Sequence, residues 1–304
     1  MNKKKFLVVF IFIGLLFNTI SCSSLGTEES VNNKGLTAYA SVYPIYDFAK
    51  KIGGERIGVK LVIPPGAEPH SWEPSGKIIR EIQQSQVFLY NGLDLDPWAK
   101  KIGSSLEGKL SILAVGEEGH IKNMVISEGK GNHDPHLWLD PIVVIEMAKA
   151  IKDVFIDLDG EYQNYYEENF NNFKLQLLEL DKEYNEVLAK VPKKNFIVTH
   201  GAFAYMAKRY GLNQITILGL APQGDPSPAK LVELTSLIKK HNINTVFFEH
   251  LTSSKAANVL ASETGVKVDI LNPLGGLTQE EMDRGEDYFS IMRENLNHLA
   301  KALD

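Results

Sequence analysis

From residue 36 onward the chain alternates short β-rich runs with amphipathic stretches. Leu36, Ala38, Ala40 and Val42 alternate as in a strand. Pro44 opens a short helix that Gly53 and Gly54 end. Residues 57–63 are β-rich and run into Pro64-Pro65-Gly66, a clear stop. Pro74 begins a helix with Ile78, Ile79 and Ile82 on one face, and residues 87–90 and 110–115 read as further strands. Asp140-Pro141 starts a helical middle. Apolar side chains then recur at positions 162, 166, 170, 173, 177, 180, 184 and 187, in steps of three and four. That is one helical stripe of about eight turns, which Pro192 stops. Strands at 195–199, 214–218, 245–249 and 266–271 follow, with helices at 202–210, 228–241 and 254–264 between them. A helix at 287–303 closes the chain.

This repeated strand–helix order predicts an α/β fold with two lobes, each built on a mainly parallel sheet, joined by a single long helix. The expected divisions are an N-terminal lobe at 36–160, a linking helix at 161–191 and a C-terminal lobe at 192–304, with a ligand site in the cleft between lobes. The long stripe has a second reading, a coiled-coil seam between two chains. Its Tyr and Phe residues suit packing across lobes better, and a monomer is expected.

The first residues belong to a different pattern. Lys3, Lys4 and Lys5 precede an almost wholly apolar run at 6–20, too short to span a bilayer well. Thr19-Ile20-Ser21-Cys22 follows and resembles the lipobox of bacterial lipoproteins, although a leucine is usual where Thr19 stands. Residues 1–21 then form a signal peptide, Cys22 becomes a lipidated N-terminus, and 22–35 is a flexible tether rich in Ser, Glu, Asn and Gly. The alternative is an ordinary signal peptide with an incidental cysteine. Either way the body works outside the cytoplasm. Cys22 is the one cysteine, so the chain has no internal disulfide and no cysteine ligand for a metal. Net charge is −6 with acids and bases interspersed, which gives no basic face for nucleic acid.

Three histidines lie in unusual local sequence: His70 after Gly66-Ala67-Glu68-Pro69, His136 within Asp134-Pro135-His136-Leu137-Trp138, and His200 after Ile197-Val198-Thr199. Neutral imidazole is the commonest protein ligand for a transition metal. In open α/β sheets ligands bind beyond the carboxyl ends of strands. His70 and His200 both stand there, one from each lobe, and His136 precedes the central helices. The three can meet in the cleft, but their spacing matches no short metal motif and leaves the convergence open.

Residues 66–75, 134–141 and 199–205 resemble the three signature segments of the zinc- and manganese-binding substrate-binding proteins of bacterial ABC transporters. Asn272-Pro273-Leu274-Gly275-Gly276-Leu277-Thr278 resembles a fourth, and the likeness runs in order from 36 to 303. The resemblance implies that His70, His136 and His200 are metal ligands. Zinc-type members carry His where this chain has His200, and manganese-type members commonly carry Glu. Imidazole suits zinc and carboxylate suits manganese, so zinc is the expected cargo and manganese or iron the alternative. Many members have an acid where this chain has Gly275, so a water or Glu68 is expected to complete the shell. The resemblance further implies capture of zinc and its delivery to a membrane permease, with no enzymatic role.

Among the other candidates, Glu249 either orients a ligand histidine from behind or caps the next helix. His120 and His133 sit in a shortened acidic loop, where His133 is expected to be a solvated histidine. His241, His250 and His298 read as surface or cap residues, and Trp72, Trp98 and Trp138 as core or cleft walls. The chain lacks the Gly-x-x-x-x-Gly-Lys-Ser/Thr loop and the His-Glu-x-x-His helix, which argues against ATP binding through a P-loop and against a zinc hydrolase. A surface adhesin remains a second possible role.

Overall fold

The computed structural model describes residues 35–127, 133–220 and 226–304. The signal peptide, Cys22 and nearly all of the tether lie outside the described residues.

The first sheet is formed by β1 (Leu36–Ala40), β2 (Ile57–Leu61), β3 (Val87–Tyr90) and β4 (Ser111–Ala114), in the order β2-β1-β3-β4. The second is formed by β5 (Asn195–Val198), β6 (Asn213–Thr216), β7 (Thr245–Phe248) and β8 (Lys267–Ile270), in the order β6-β5-β7-β8. All pairings are parallel. The two sheets therefore share one topology, with the crossover point between the first and third strands of each. That is where a parallel α/β sheet opens a crevice for ligands.

Helix boundaries follow local chemistry. The helix α1 (Tyr43–Gly53) has a proline in its first turn and ends at Gly54, whose φ of 52° suits a residue without a side chain. The second, α2 (Gly76–Gln83), is capped by Ser75, so it begins two residues beyond Pro74. A helix the hydrophobic pattern did not predict, α3 (Pro97–Leu106), buries Trp98, Ala99, Ile102 and Leu106. Its two lysines and two serines blur the apolar stripe. Asp140 caps α4 (Pro141–Leu158) by accepting a hydrogen bond from the Ile142 amide at 2.9 Å.

The long stripe forms α5 (Gln163–Leu188), which buries Tyr166, Phe170, Phe173, Leu177, Leu180, Tyr184 and Leu188. Tyr162 stays outside it, in a short 3-10 turn. The helix packs along α1 and α4 on one side, then meets α6 (Ala204–Tyr210) and the closing helix α10 (Tyr288–Leu303). Its apolar face is thus covered by its own chain, which removes the reason for a coiled-coil seam. Phe48 of α1 packs on Phe173 of α5 and Tyr288 of α10, with ring centroids 5.6 and 5.2 Å apart. This aromatic cluster ties both lobes to the central helix. The remaining helices are α7 (Pro228–His241), capped by Ser227, α8 (Lys255–Thr264) and the short α9 (Gln279–Asp283), which opens with a Thr278–Glu281 capping box.

Candidate metal centre

His70 sits on the loop that leaves β2, where Pro64-Pro65-Gly66 turns the chain and Gly66 N–H donates to Leu277 carbonyl at 2.8 Å. Its own amide donates to Glu68 Oε1 at 3.0 Å. His136 immediately precedes a 3-10 turn, Leu137–Leu139, whose three side chains are fully buried. Trp138 Nε1 donates to Pro273 carbonyl at 2.7 Å, and Asn91 Nδ2 donates to Pro135 carbonyl at 3.1 Å, so this turn is pinned from both sides. His200 lies two residues past the end of β5.

The three imidazoles meet. One ligand nitrogen from each lies within 4.8 Å of the other two. The Nε2 atoms of His70 and His136 are 3.2 Å apart, and the His136 and His200 ring centroids are 4.7 Å apart. Among the described residues this is the one group of three or more His, Cys, Asp or Glu so arranged.

Two carboxylates stand behind the ring. Asp134 Oδ1 is 2.7 Å from His136 Nδ1 and also accepts the His136 amide at 3.0 Å. It therefore fixes the tautomer that leaves Nε2 facing the cleft. Glu249 Oε1 is 2.7 Å from His200 Nδ1. Glu249 thus stands beside a histidine, while Ser254 stands at the start of α8. Asp134 was missed in sequence, although a carboxylate two residues before a ligand-type histidine is a usable signal. Tyr205 holds it from below by donating to its carbonyl at 2.7 Å.

The electrostatics of the three rings differ. Burial, with the neighbouring His200 charge, pushes His70 down to about 3. Burial and the other two histidines push His136 well below the ordinary imidazole range. His200 goes the other way: burial disfavours its charge, but Glu249 and the Leu220 carbonyl outweigh it and raise the group. His200 Nε2 is 2.7 Å from that carbonyl. Two rings are thus held towards the neutral form that ligates a metal, and the third is pulled towards the protonated form.

The pocket around them is lined further by Leu95, Trp138, Asn272 and Gly275. Leu274, the residue before Gly275, is fully buried at a positive φ of 60°, held by its amide donating to Asn272 Oδ1 at 2.8 Å. A bulky side chain kept in that conformation marks a loop over-determined by its surroundings. Glu68 lines the cavity but does not join the close histidine group.

The remaining candidates separate clearly. His133 is exposed with Nδ1 3.1 Å from Ser127 Oγ, as expected for a loop histidine. His120 is exposed. His241 ends α7, and His298 pairs with Asp269 at 2.9 Å. Trp98 is buried and meets partly buried Trp72 edge-on at 5.4 Å. His250 corrects the expectation of a surface or cap residue. It is half-buried in the wall of the same cavity as the three histidines. The turn after β7 carries it inward beside Glu249, which a strand-end position in the sequence does not reveal.

Known proteins share this fold. The high-affinity zinc uptake system protein ZnuA of Bacillus subtilis is 36% identical over 313 residues, covering 99% of this chain and 98% of that protein. The Zn(II)-bound ZnuA-like domain of Streptococcus pneumoniae AdcA superposes with a TM-score of 0.78 at 36% identity, covering 88% of this chain and 99% of that domain. Full-length AdcA is longer, and the matched region spans 58% of it. The laminin-binding protein of Streptococcus agalactiae, described as a bifunctional adhesin and metal transporter, gives a TM-score of 0.80 at 31% identity over 89% of this chain and all of that one. Residues 39–302 match the family described as ZnuA, the periplasmic component A of the zinc-uptake complex, and the chain belongs to that family.

Proposed function

We propose that this protein captures zinc outside the cytoplasm and delivers it to the permease of an ABC transporter, with His70, His136 and His200 as ligands. The observation that carries this reading is the meeting of three imidazoles from distant segments, two of them backed by buried carboxylates. An all-imidazole donor set suits zinc better than manganese, which prefers carboxylate oxygen. The family is one of solute-binding components, not enzymes, and its membership implies a permease partner.

Capture follows from the geometry. Neutral Nε2 atoms of His70 and His136 offer lone pairs at once. His200 loses its proton, Nε2 leaves the Leu220 carbonyl, and Glu249 holds the ring in place. A fourth donor completes the tetrahedral shell that zinc prefers. Release at the permease would reverse these steps. Lipidation at Cys22, after removal of residues 1–21, would keep the protein at the membrane face, with 22–35 as its tether. No helix among the described residues is long and apolar enough to cross a membrane.

Isothermal titration of the metal-stripped protein with zinc and then manganese tests the reading. Tight one-to-one zinc binding, weaker manganese binding and loss of both in His200→Ala are expected. Undiminished binding in that variant refutes the site. The likeness to the laminin-binding protein supports an adhesin as a second role, for which zinc-independent binding to laminin is the test.

A further inference from the structure

The three histidines leave one position of a tetrahedral ion open, and the cavity wall offers few side chains to fill it. Gly275 and Gly276 bring none. Asn272 is committed, its Oδ1 to the Leu274 amide and its carbonyl to Asn295 Nδ2. Glu249 faces His200. Glu68 already accepts the His70 amide through Oε1.

His250 is different. Its side chain is 15% exposed, and both ring nitrogens are buried without a hydrogen-bond partner. Nε2 lies 3.2 Å from Glu281 Oε2, but outside hydrogen-bonding direction. That carboxylate oxygen is already taken by the Thr278 amide at 2.7 Å and the Thr278 hydroxyl at 2.9 Å, as part of the cap of α9. As placed, the ring leaves Nδ1 without a partner and Nε2 poorly aligned on Glu281, and burying polar groups so is costly. A ring bound to a cation through one nitrogen and donating to Glu281 through the other would relieve both deficits. Metal-bound histidines usually donate their second nitrogen to a carboxylate in this way.

Resting on the zinc-capture reading, we propose that His250 is the fourth ligand of this site, turning from the cavity wall to complete a four-imidazole shell with Glu281 behind it. The ring takes the place left empty by Gly275, so the chain binds zinc without a carboxylate ligand. This set would also reject manganese more strongly than three histidines plus an acid.

Ring-nitrogen NMR of the histidine-labelled full chain, titrated with zinc, decides the matter. Four histidines should move to metal-bound shifts, and His250→Ala should leave three and weaken zinc binding by at least about tenfold, the loss expected even for a group behind a ligand. His250→Gln, which keeps the volume but ligates poorly, should behave likewise. If His70, His136 and His200 move while His250 stays unmoved in the unaltered chain, the proposal falls, and a matching affinity loss in Glu68→Gln assigns the position to Glu68. If the three do not move, the capture reading itself fails.

Discussion

The two lobes share a strand order and differ in how their sheets are covered. In the first lobe Val87, Phe88, Leu89 and Tyr90 of β3 are all buried in one continuous core with α1, α4, α5 and α10. In the second lobe the faces part company. Phe196, Val198 and Phe247 join that same large core, whereas their neighbours Ile197 and Val246 face a separate cluster with Leu234, Ile238, Ala257 and Leu260. Successive strand residues point to opposite faces, so β5 and β7 belong to two cores at once. The outer cluster contains no fully buried aromatic ring. The first lobe is therefore an anchored wall, and the second carries a thinner outer layer. The ligands divide the same way. His136 is locked by Asp134, Trp138 and Asn91 around the large core. His200 hangs from the second lobe on one carboxylate and one carbonyl.

The largest effect should come from the locked ligand. His136→Ala should reduce zinc affinity by more than about 100-fold, beyond what disturbing a residue behind a ligand causes. Calorimetry checks this, and near-normal binding would mean that the rigid wall is not the foundation of the site. Next come the two cores. Phe48→Ala should cost about 3–5 kcal/mol in urea unfolding, while Leu234→Ala should sit near about 2 kcal/mol, because the thin outer layer can collapse around the gap. Equal costs would erase the distinction between lobes.

The charge states give two further tests. Since His70 and His136 are lowered and His200 is raised, any proton released on zinc binding should come from His200 and not from the other two. Titration in buffers of different ionisation enthalpy counts it. Glu249→Gln should lower that count and weaken binding by roughly tenfold. Affinity should fall as pH drops, starting above the ordinary imidazole range because His200 is raised. The metal-free fold responds separately. The unfolded chain protonates all three histidines below about 6.5, whereas folded His70 resists down to about 3 and His136 also stays neutral. Two lowered groups outweigh the one raised group, so at these three positions the unfolded state binds more protons and their contribution to stability should decline as pH falls from about 6.5 towards 3, against the opposite contribution of buried Asp96, which is raised to about 6. Chemical unfolding at neutral and mildly acidic pH, compared between the unaltered chain and His70→Ala, isolates that contribution, and the same slope in both would contradict the assignment. The smallest effect concerns motion. Amides of α7 and α8 should exchange faster than those of α1 and α4, while zinc should barely change the radius of gyration, because the aromatic cluster around α5 resists hinge closure.

Much of the fold was legible because its strands are short, apolar and punctuated by Pro and Gly, and because the α5 stripe keeps its helical period from 166 to 184. The helix α3 was not, since its lysines and serines interrupt the apolar face. Glu249 was visible as a candidate for two roles, and only the tertiary structure sets it beside His200. His250 was misplaced because a strand-end residue can point outward or into a cleft, and sequence carries no sign of which.

The sequence by itself determined the repeated βα order, the long helix and the identity of the ligand-type side chains, because local periodicity and residue chemistry are written along the chain. Tertiary structure alone decided that three distant imidazoles meet within 4.8 Å, which of them are lowered and which raised, and that His250 shares their cavity. Those properties depend on burial and on neighbours supplied by other elements, and such distances exist only after the two sheets and the central helix have packed.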